Sequence, residues 1–212
     1  MKKNGLMKIA FATMLGLTSF CGNVDAQETK LPTPQKSNVE GSLIKALQDR
    51  HSTRTFTDKS VEDQTLANLL WAANGVNRND GRRTAPSARN QQDITIYVGK
   101  ADGTFRYDAK ANTLVKIGSS DLRKAVSGKN KFIQTAPIVL VIASDTSLLN
   151  GNLVLSGIDA GTVVQNVYLY CASNGLSTVC CYAGENTTEV QKFLGIKSEN
   201  KPLVYMPIGY ND

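Results

Sequence analysis

The chain has 212 residues, with 24 Lys and Arg, 18 Asp and Glu and a single histidine, for a formal charge of +6. This mild basic excess suits a small anionic ligand, but no dense Lys/Arg stripe with interleaved aromatics marks a nucleic-acid surface. One histidine, His51, and no Cys-x-x-Cys pair argue against His-rich metal sites and structural zinc, and leave a Ser-His-Asp triad only one base.

Lys2, Lys3 and Lys8 precede an apolar run from Ile9 to Phe20, and Val24-Asp25-Ala26 forms a small-residue cleavage site. That pattern marks residues 1–26 as a secretory signal peptide, too short and wrongly flanked to span a bilayer. The protein is therefore expected to be exported, to the periplasm. Lipoprotein processing at Cys21 is the alternative, opposed by bulky Phe20 where a small residue is expected. Without residues 1–26, 21 basic and 17 acidic side chains remain. No later segment is apolar enough to span a membrane, and the length fits one domain with a sizeable core.

Residues 27–40 are polar and Pro-containing and read as a flexible lead-in to a domain over 41–212. Leu43, Ile44 and Leu47 mark a short amphipathic helix ending near Arg50. Ser60 with Asp63 reads as a capping arrangement. The helix it opens places Leu66, Leu69, Leu70 and Ala73 at i, i+3, i+4, i+7 spacing, with Trp71 as core and Gly75 as its stop. Asn77 to Arg89 is a loop. Ile94–Val98 is a strand, Asp102-Gly103 a turn, and 105–108 with 114–117 a hairpin-like pair. A helix follows around Asp121–Val126.

The continuous apolar run 137–143 predicts a buried central strand. Residues 153–174 form a long helix, apolar nearly all round and so expected to be buried on several sides, stopped by Gly175. Ser177–Tyr182 is a strand, Thr187 or Thr188 starts a helix capped by Gly195, and Leu203–Ile208 is the last strand. Helices and strands interleave without strict β-α-β alternation, which predicts an α+β sandwich around one mixed sheet. Cys171, Cys180 and Cys181 are an odd set in apolar company and read as small buried residues; a bridge from Cys171 to either neighbour stays open.

Two polar signatures stand apart from this core. Arg50-His51-Ser52-Thr53-Arg54 precedes Pro86-Ser87-Ala88-Arg89-Asn90-Gln91-Gln92 by some thirty positions. In an extended segment Arg50, Ser52 and Arg54 face one side, and a guanidinium fork matches phosphate geometry. A solvated surface strand with salt-bridged arginines is the plainer reading, and spacing alone leaves both open.

The order of motifs resembles the nitroreductase family of FMN-dependent oxidoreductases, including its azoline-dehydrogenase-like branch. The resemblance is carried by Arg-His-Ser-Thr-Arg-x-Phe, a helix ending in Ala-Ala, Pro-Ser-Ala-x-Asn-x-Gln, the Thr-Ala-Pro-Ile-Val-Leu-Val strand, a helix ending Asn-Gly-Leu, and Pro-Ile-Gly-Tyr, from Leu43 to Tyr210. It implies a mixed central sheet flanked by helices, in an intertwined homodimer with FMN at the subunit interface. By this likeness Arg50, His51 and Ser52 hold the phosphate and ribityl chain, and Arg54 faces the N1/O2 edge of the flavin. Pro86, Ser87 and Asn90, with Gln92 as companion, reach across from the second subunit. Tyr182-Ala183-Gly184 is similar to the segment whose backbone N–H approaches flavin N5. The resemblance further implies hydride transfer through N5 to an electron-poor small molecule such as a nitroaromatic or quinone, with no dedicated side-chain acid or base.

Three departures accompany it. Asp93-Ile94 stand where many members carry Pro-Trp, and Gly209-Tyr210-Asn211-Asp212 lacks the Lys or Arg that completes the phosphate site in many members, with Arg82, Arg83 or Arg89 as candidate substitutes. Export separates the protein from cytoplasmic NAD(P)H, so the electron donor stays open. The alternatives are an azoline-type dehydrogenase of the same fold, a non-catalytic flavin-binding protein, and an anion-binding domain without flavin.

Overall fold

The computed structural model describes residues 27–35, 43–184 and 187–211; the expected signal peptide, Cys21 included, lies outside them. In chain order the elements are β1 (Glu28–Lys30), α1 (Leu43–Asp49), α2 (Asp63–Asn74), β2 (Ile94–Lys100), β3 (Gly103–Asp108), β4 (Thr113–Gly118) and α3 (Leu122–Ser127). They continue with β5 (Ile138–Asp145), α4 (Leu153–Ser173), β6 (Ser177–Thr178), β7 (Cys181–Tyr182), α5 (Thr187–Leu194) and β8 (Asn200–Gly209).

The apolar run from Ile138 becomes β5, which sits inside an eight-stranded sheet of order β1-β4-β3-β2-β5-β8-β6, with β7 also on β8. Every pairing among the described residues is antiparallel. Alternation along β5 explains its unbroken hydrophobicity. Ile138, Leu140 and Ile142 enter one core with residues of α2 and α4, while Val139, Val141 and Ala143 enter a second core with residues of α3 and α5. The α+β architecture expected from the sequence is therefore a sheet sandwiched between two helical layers.

Three local expectations are corrected. Ser60 does not cap α2: Glu62 is its N-cap, without a side-chain hydrogen bond. Trp71 is half-buried rather than core, and its indole N–H donates to the Val76 carbonyl at 3.0 Å. Gly75 does end α2, for a steric reason, since a Cβ there would lie 2.7 Å from the Trp71 backbone. The strand expected over 177–182 is split into β6 and β7.

Within the stretch read as lead-in, Glu28–Lys30 pair with β4, Leu31 is buried, and Gln64 donates to the Thr33 carbonyl. A backbone ladder needs no side-chain pattern, so the polar composition concealed it. Finally, α4 is buried on one side only: Leu153, Val154 and Ile158 are exposed in the single chain. No helix among the described residues is long and apolar enough to cross a membrane.

Leu140 is fully buried at the centre of the sheet. Leu140→Ala should lower unfolding free energy by about 2–5 kcal/mol, through lost transfer energy and a residual cavity. Urea titration checks this, and a loss under about 1 kcal/mol contradicts the packing described.

Candidate functional site

Helix α1 ends as the Arg50 N–H donates to the Ala46 carbonyl at 2.9 Å. The chain then runs extended along the sheet edge. The Thr53 N–H donates to the Thr178 carbonyl at 2.9 Å, and the Thr57 N–H to the Tyr210 carbonyl at 2.8 Å. These two bonds make residues 53–57 a strap across β6 and the end of β8.

Tyr168 of α4 organises the near end of this strap. The Arg50 guanidinium carbon lies 5.1 Å from its ring centroid, a cation–π contact. Its hydroxyl accepts the Cys180 N–H at 2.7 Å and lies 2.9 Å from Ser52 Oγ. With the amide occupying an acceptor position, the phenolic hydrogen is available for Ser52. One ring thus gathers Arg50 and Ser52 on the same side, as the two-residue spacing predicts. His51 is exposed, its Nδ1 2.7 Å from the Asp49 carbonyl oxygen. Arg54 is exposed, with the Cys181 thiol in its field. Neither Arg50 nor Arg54 belongs to an ion pair among the described residues. Two guanidiniums are thus left to attract an anion.

Tyr182, Ala183 and Gly184 follow at the outer edge of the sheet. The Ala183 N–H donates to the Leu203 carbonyl at 3.0 Å, so it is engaged with β8. Antiparallel alternation then turns the Tyr182 N–H away from β8, toward the open edge. Tyr182 itself is 83% exposed. A cavity of about 360 Å³ opens beside these residues, lined also by Val126, Lys129, Asn130 and Tyr205; this volume is in the range of small-ligand pockets. The neighbouring thiols do not supply a nucleophile. Burial raises both Cys180 and Cys181, the latter to about 11, so thiolate is scarce at neutral pH. All three cysteines are free; Cys171 and Cys181 are buried as expected, whereas Cys180 is exposed.

The second signature is a tight loop. Arg89, Asn90 and Gln92 all have positive φ, near 50°, a region costly for residues other than glycine. Side-chain bonds offset this cost: Ser87 Oγ accepts the Gln92 N–H at 2.9 Å, and the Gln92 amide donates to the Gly81 carbonyl at 3.2 Å. Arg83 Nε donates to Gln92 Oε1 at 3.1 Å, and its Nη1 to the Asn74 carbonyl at 3.0 Å. Arg83 is therefore engaged in holding the loop. Arg82 pairs with Asp80, while Arg89 and Asn90 are exposed. The loop is tied to α4 twice: the Ala88 N–H donates to both Asp159 oxygens at 3.0 and 2.8 Å, and Thr162 Oγ1 lies 3.2 Å from the Pro86 carbonyl.

The two signatures are thus anchored at different stations of one helix. Tyr168 follows Asp159 by nine residues, which is about 13 Å along the axis and about half a turn in azimuth. Helical geometry therefore sends the two anchoring side chains off α4 in opposite directions. Sequence reasoning missed both anchors. A signal did exist for Asp159, which is the single charged residue of α4. Tyr168 gives none, since aromatic residues fill such helices for packing alone.

A family model, the nitroreductase family, matches residues 47–210. An inferred nitroreductase of Methanocaldococcus jannaschii is 32% identical over 199 residues, covering 87% of this chain and 97% of that protein. The crystal structure of an inferred nitroreductase from Ralstonia eutropha superimposes with a TM-score of 0.80 at 30% identity, over 87% of this chain and 90% of that one. A Desulfovibrio desulfuricans protein of the same kind, solved in complex with FMN, shares the fold with a TM-score of 0.59 at 21% identity, over 81% and 87%.

Replacing Tyr168 by Phe keeps the ring under Arg50 and removes the oxygen that satisfies the buried end of the Cys180 amide. Stability should fall by about 1–2 kcal/mol, measured by urea unfolding. An unchanged midpoint excludes this hydroxyl as the organiser of the strap.

Proposed function

The chain belongs to the nitroreductase family of FMN-dependent oxidoreductases, and on that premise we propose that it is an exported, homodimeric flavoenzyme reducing electron-poor small molecules. The observation that carries this reading is the strap: the Arg50 guanidinium and the Ser52 hydroxyl gathered at Tyr168, with Arg54 exposed two residues on and, like Arg50, in no ion pair among the described residues. Those groups fit a phosphate with a polyol tail, because charge-assisted bonds from a guanidinium fork are the strong ones. Bound FMN would supply hydride acceptance and donation at its N5.

In this reading Arg50, His51 and Ser52 hold the phosphate and ribityl chain. Arg54 places positive charge where the reduced ring carries negative charge. The Tyr182 and Gly184 N–H groups are the donors left for N5, since that of Ala183 is engaged with Leu203. Pro86, Ser87 and Asn90 of the partner subunit close the site, and Gln92 acts by holding their loop. Support for two subunits comes from the separation of the two signatures on α4. Exposed Leu43, Ile44 and Leu47 on α1, with Leu153, Val154 and Ile158 on α4, offer apolar surface for such a contact. The acceptor is a nitroaromatic or quinone. A flavin alternating between donor and acceptor at one shallow site gives ping-pong kinetics.

One observation favours a weaker, non-catalytic relative of this reading. Tyr210 stands directly after Gly209, where many members carry Lys or Arg; the positive charge found there is Lys59 Nζ, 4.1 Å from the Tyr210 ring centroid.

The mature protein over 27–212 should be yellow, release FMN on acid treatment and elute as a dimer. Protein that remains colourless after FMN addition rules out every flavin reading. Arg50→Ala should weaken FMN binding by roughly 10- to 100-fold, the worth of a charged hydrogen bond, read by fluorescence quenching. Bleaching by a reductant and reoxidation by a nitroaromatic separates the enzyme from the binding protein. Cell fractionation with intact-mass measurement of the mature N-terminus tests export.

A further inference from the structure

Asp93 stands in the sequence where the family resemblance leads one to expect proline. It is 2% exposed, and Asp159 is 3% exposed. The Asp93 Oδ2 accepts from Ser144 Oγ at 2.5 Å, and that hydroxyl lies 2.9 Å from Ser156 Oγ. Asp93 Oδ1 is buried without a donor. Ser156 lies one helical turn before Asp159 on the buried side of α4, so the Ser144 link brings Asp93 to the stretch of α4 that carries Asp159, whose two oxygens take the Ala88 N–H. Two ionised carboxylates here would bury a repelling pair and leave Oδ1 unsatisfied. One proton on Asp93, donated to an ionised Asp159, removes both penalties and keeps Asp159 an acceptor for Ala88.

We propose that Asp93 and Asp159 share one buried proton and together act as positioning residues for the Pro86–Gln92 loop. The proposal rests on the reading that this loop reaches the flavin. The loop carries three residues in the left-handed region, so it needs an external tie. The tie is Asp159, and its companion Asp93 decides whether Asp159 sits beside a hydrogen-bond donor or a second negative charge. The other groups facing the pair are Ser144 from β5 and Ser156 from α4, both uncharged. The Asp145 carboxylate is turned to Ser147, and the Arg83 guanidinium is held on Gln92 and the Asn74 carbonyl.

Burial first, then Asp159, raises Asp93 to about 6, with Ser144 opposing. A carboxyl raised above its unfolded value of about 4 binds its proton more tightly in the folded state. Its contribution to stability is thus fully present below about pH 4 and lost as pH rises through about 6. The tie on the loop should loosen over the same interval.

The test compares the purified protein with Asp93→Asn and Asp159→Asn between about pH 5 and pH 8. Infrared difference spectra should show a protonated carboxyl band that titrates away in the native protein and is absent in Asp93→Asn. Corrected for intrinsic exchange, protection of the Ala88 amide should fall roughly tenfold across that interval. In Asp93→Asn it should stay flat, because the amide donates to Asp159 at every pH. A native protein without the carboxyl band at pH 5, or equal loss of Ala88 protection in Asp93→Asn, overturns the proposal. If Asp93→Asn does not fold, Asp159→Asn decides: without its like-charged neighbour the remaining band should titrate at lower pH, and an unmoved titration overturns the shared proton. FMN affinity measured alongside should weaken with pH in the native protein and not in Asp93→Asn; an affinity that ignores pH in both removes the positioning role. Protein that binds no FMN at any pH contradicts the functional reading, while the band and the Ala88 amide still decide whether the pair shares a proton.

Discussion

Helix α4 is the constraint on which the remaining structure depends. Its buried face is fixed against the central sheet by Ala160, Val163, Val164, Val167 and Cys171. A helix set this firmly cannot rotate without dismantling the core. Tyr168 and Asp159 are carried on that frame, and each reaches a polar segment that has little regular structure of its own. The strap borrows its geometry from Tyr168, and the left-handed loop borrows its geometry from Asp159. Neither polar signature is self-supporting.

Placing the anchors half a turn apart has a functional consequence. In the reading proposed above, a flavin in contact with both signatures takes them from two copies of the chain, and the half-turn between the anchors supports that reading. The same reading gives the exposed apolar residues at the start of α4 a surface to cover. The chemistry needs little else from the side chains. The thiols are raised by burial, and the one histidine is an exposed neighbour of the α1 terminus. The strap supplies positive charge, and the edge strand supplies backbone donors.

Regular elements with a strong pattern were legible. The i, i+3, i+4, i+7 spacing of Leu66, Leu69, Leu70 and Ala73 marked α2 within a residue or two, and the apolar run marked β5. Elements held by backbone alone were not. The strand at Glu28–Lys30 has no apolar side chain in it, and its ladder with β4 is invisible in composition. Ser60 matched a capping pattern, yet the helix begins after Glu62, because cap geometry depends on where the chain enters and not on residue type alone. Trp71 was read as core from its neighbours; it lies at the rim because its indole N–H needs the Val76 carbonyl.

The sequence by itself determined the α+β class, the buried central strand and the family likeness, because hydrophobic period and motif order are written locally. Its two-residue spacing predicted that Arg50 and Ser52 share one side, and both meet Tyr168. Only the tertiary structure decided which groups hold them. Tyr168 lies 116 residues from Ser52, and Asp159 lies 71 from Ala88, and no local pattern encodes contacts over such separations. The acid at position 93 shows the difference most directly. As a letter it was only a departure from an expected proline; the structure buries it, joined to Ser144 and with one carboxylate oxygen lacking a partner.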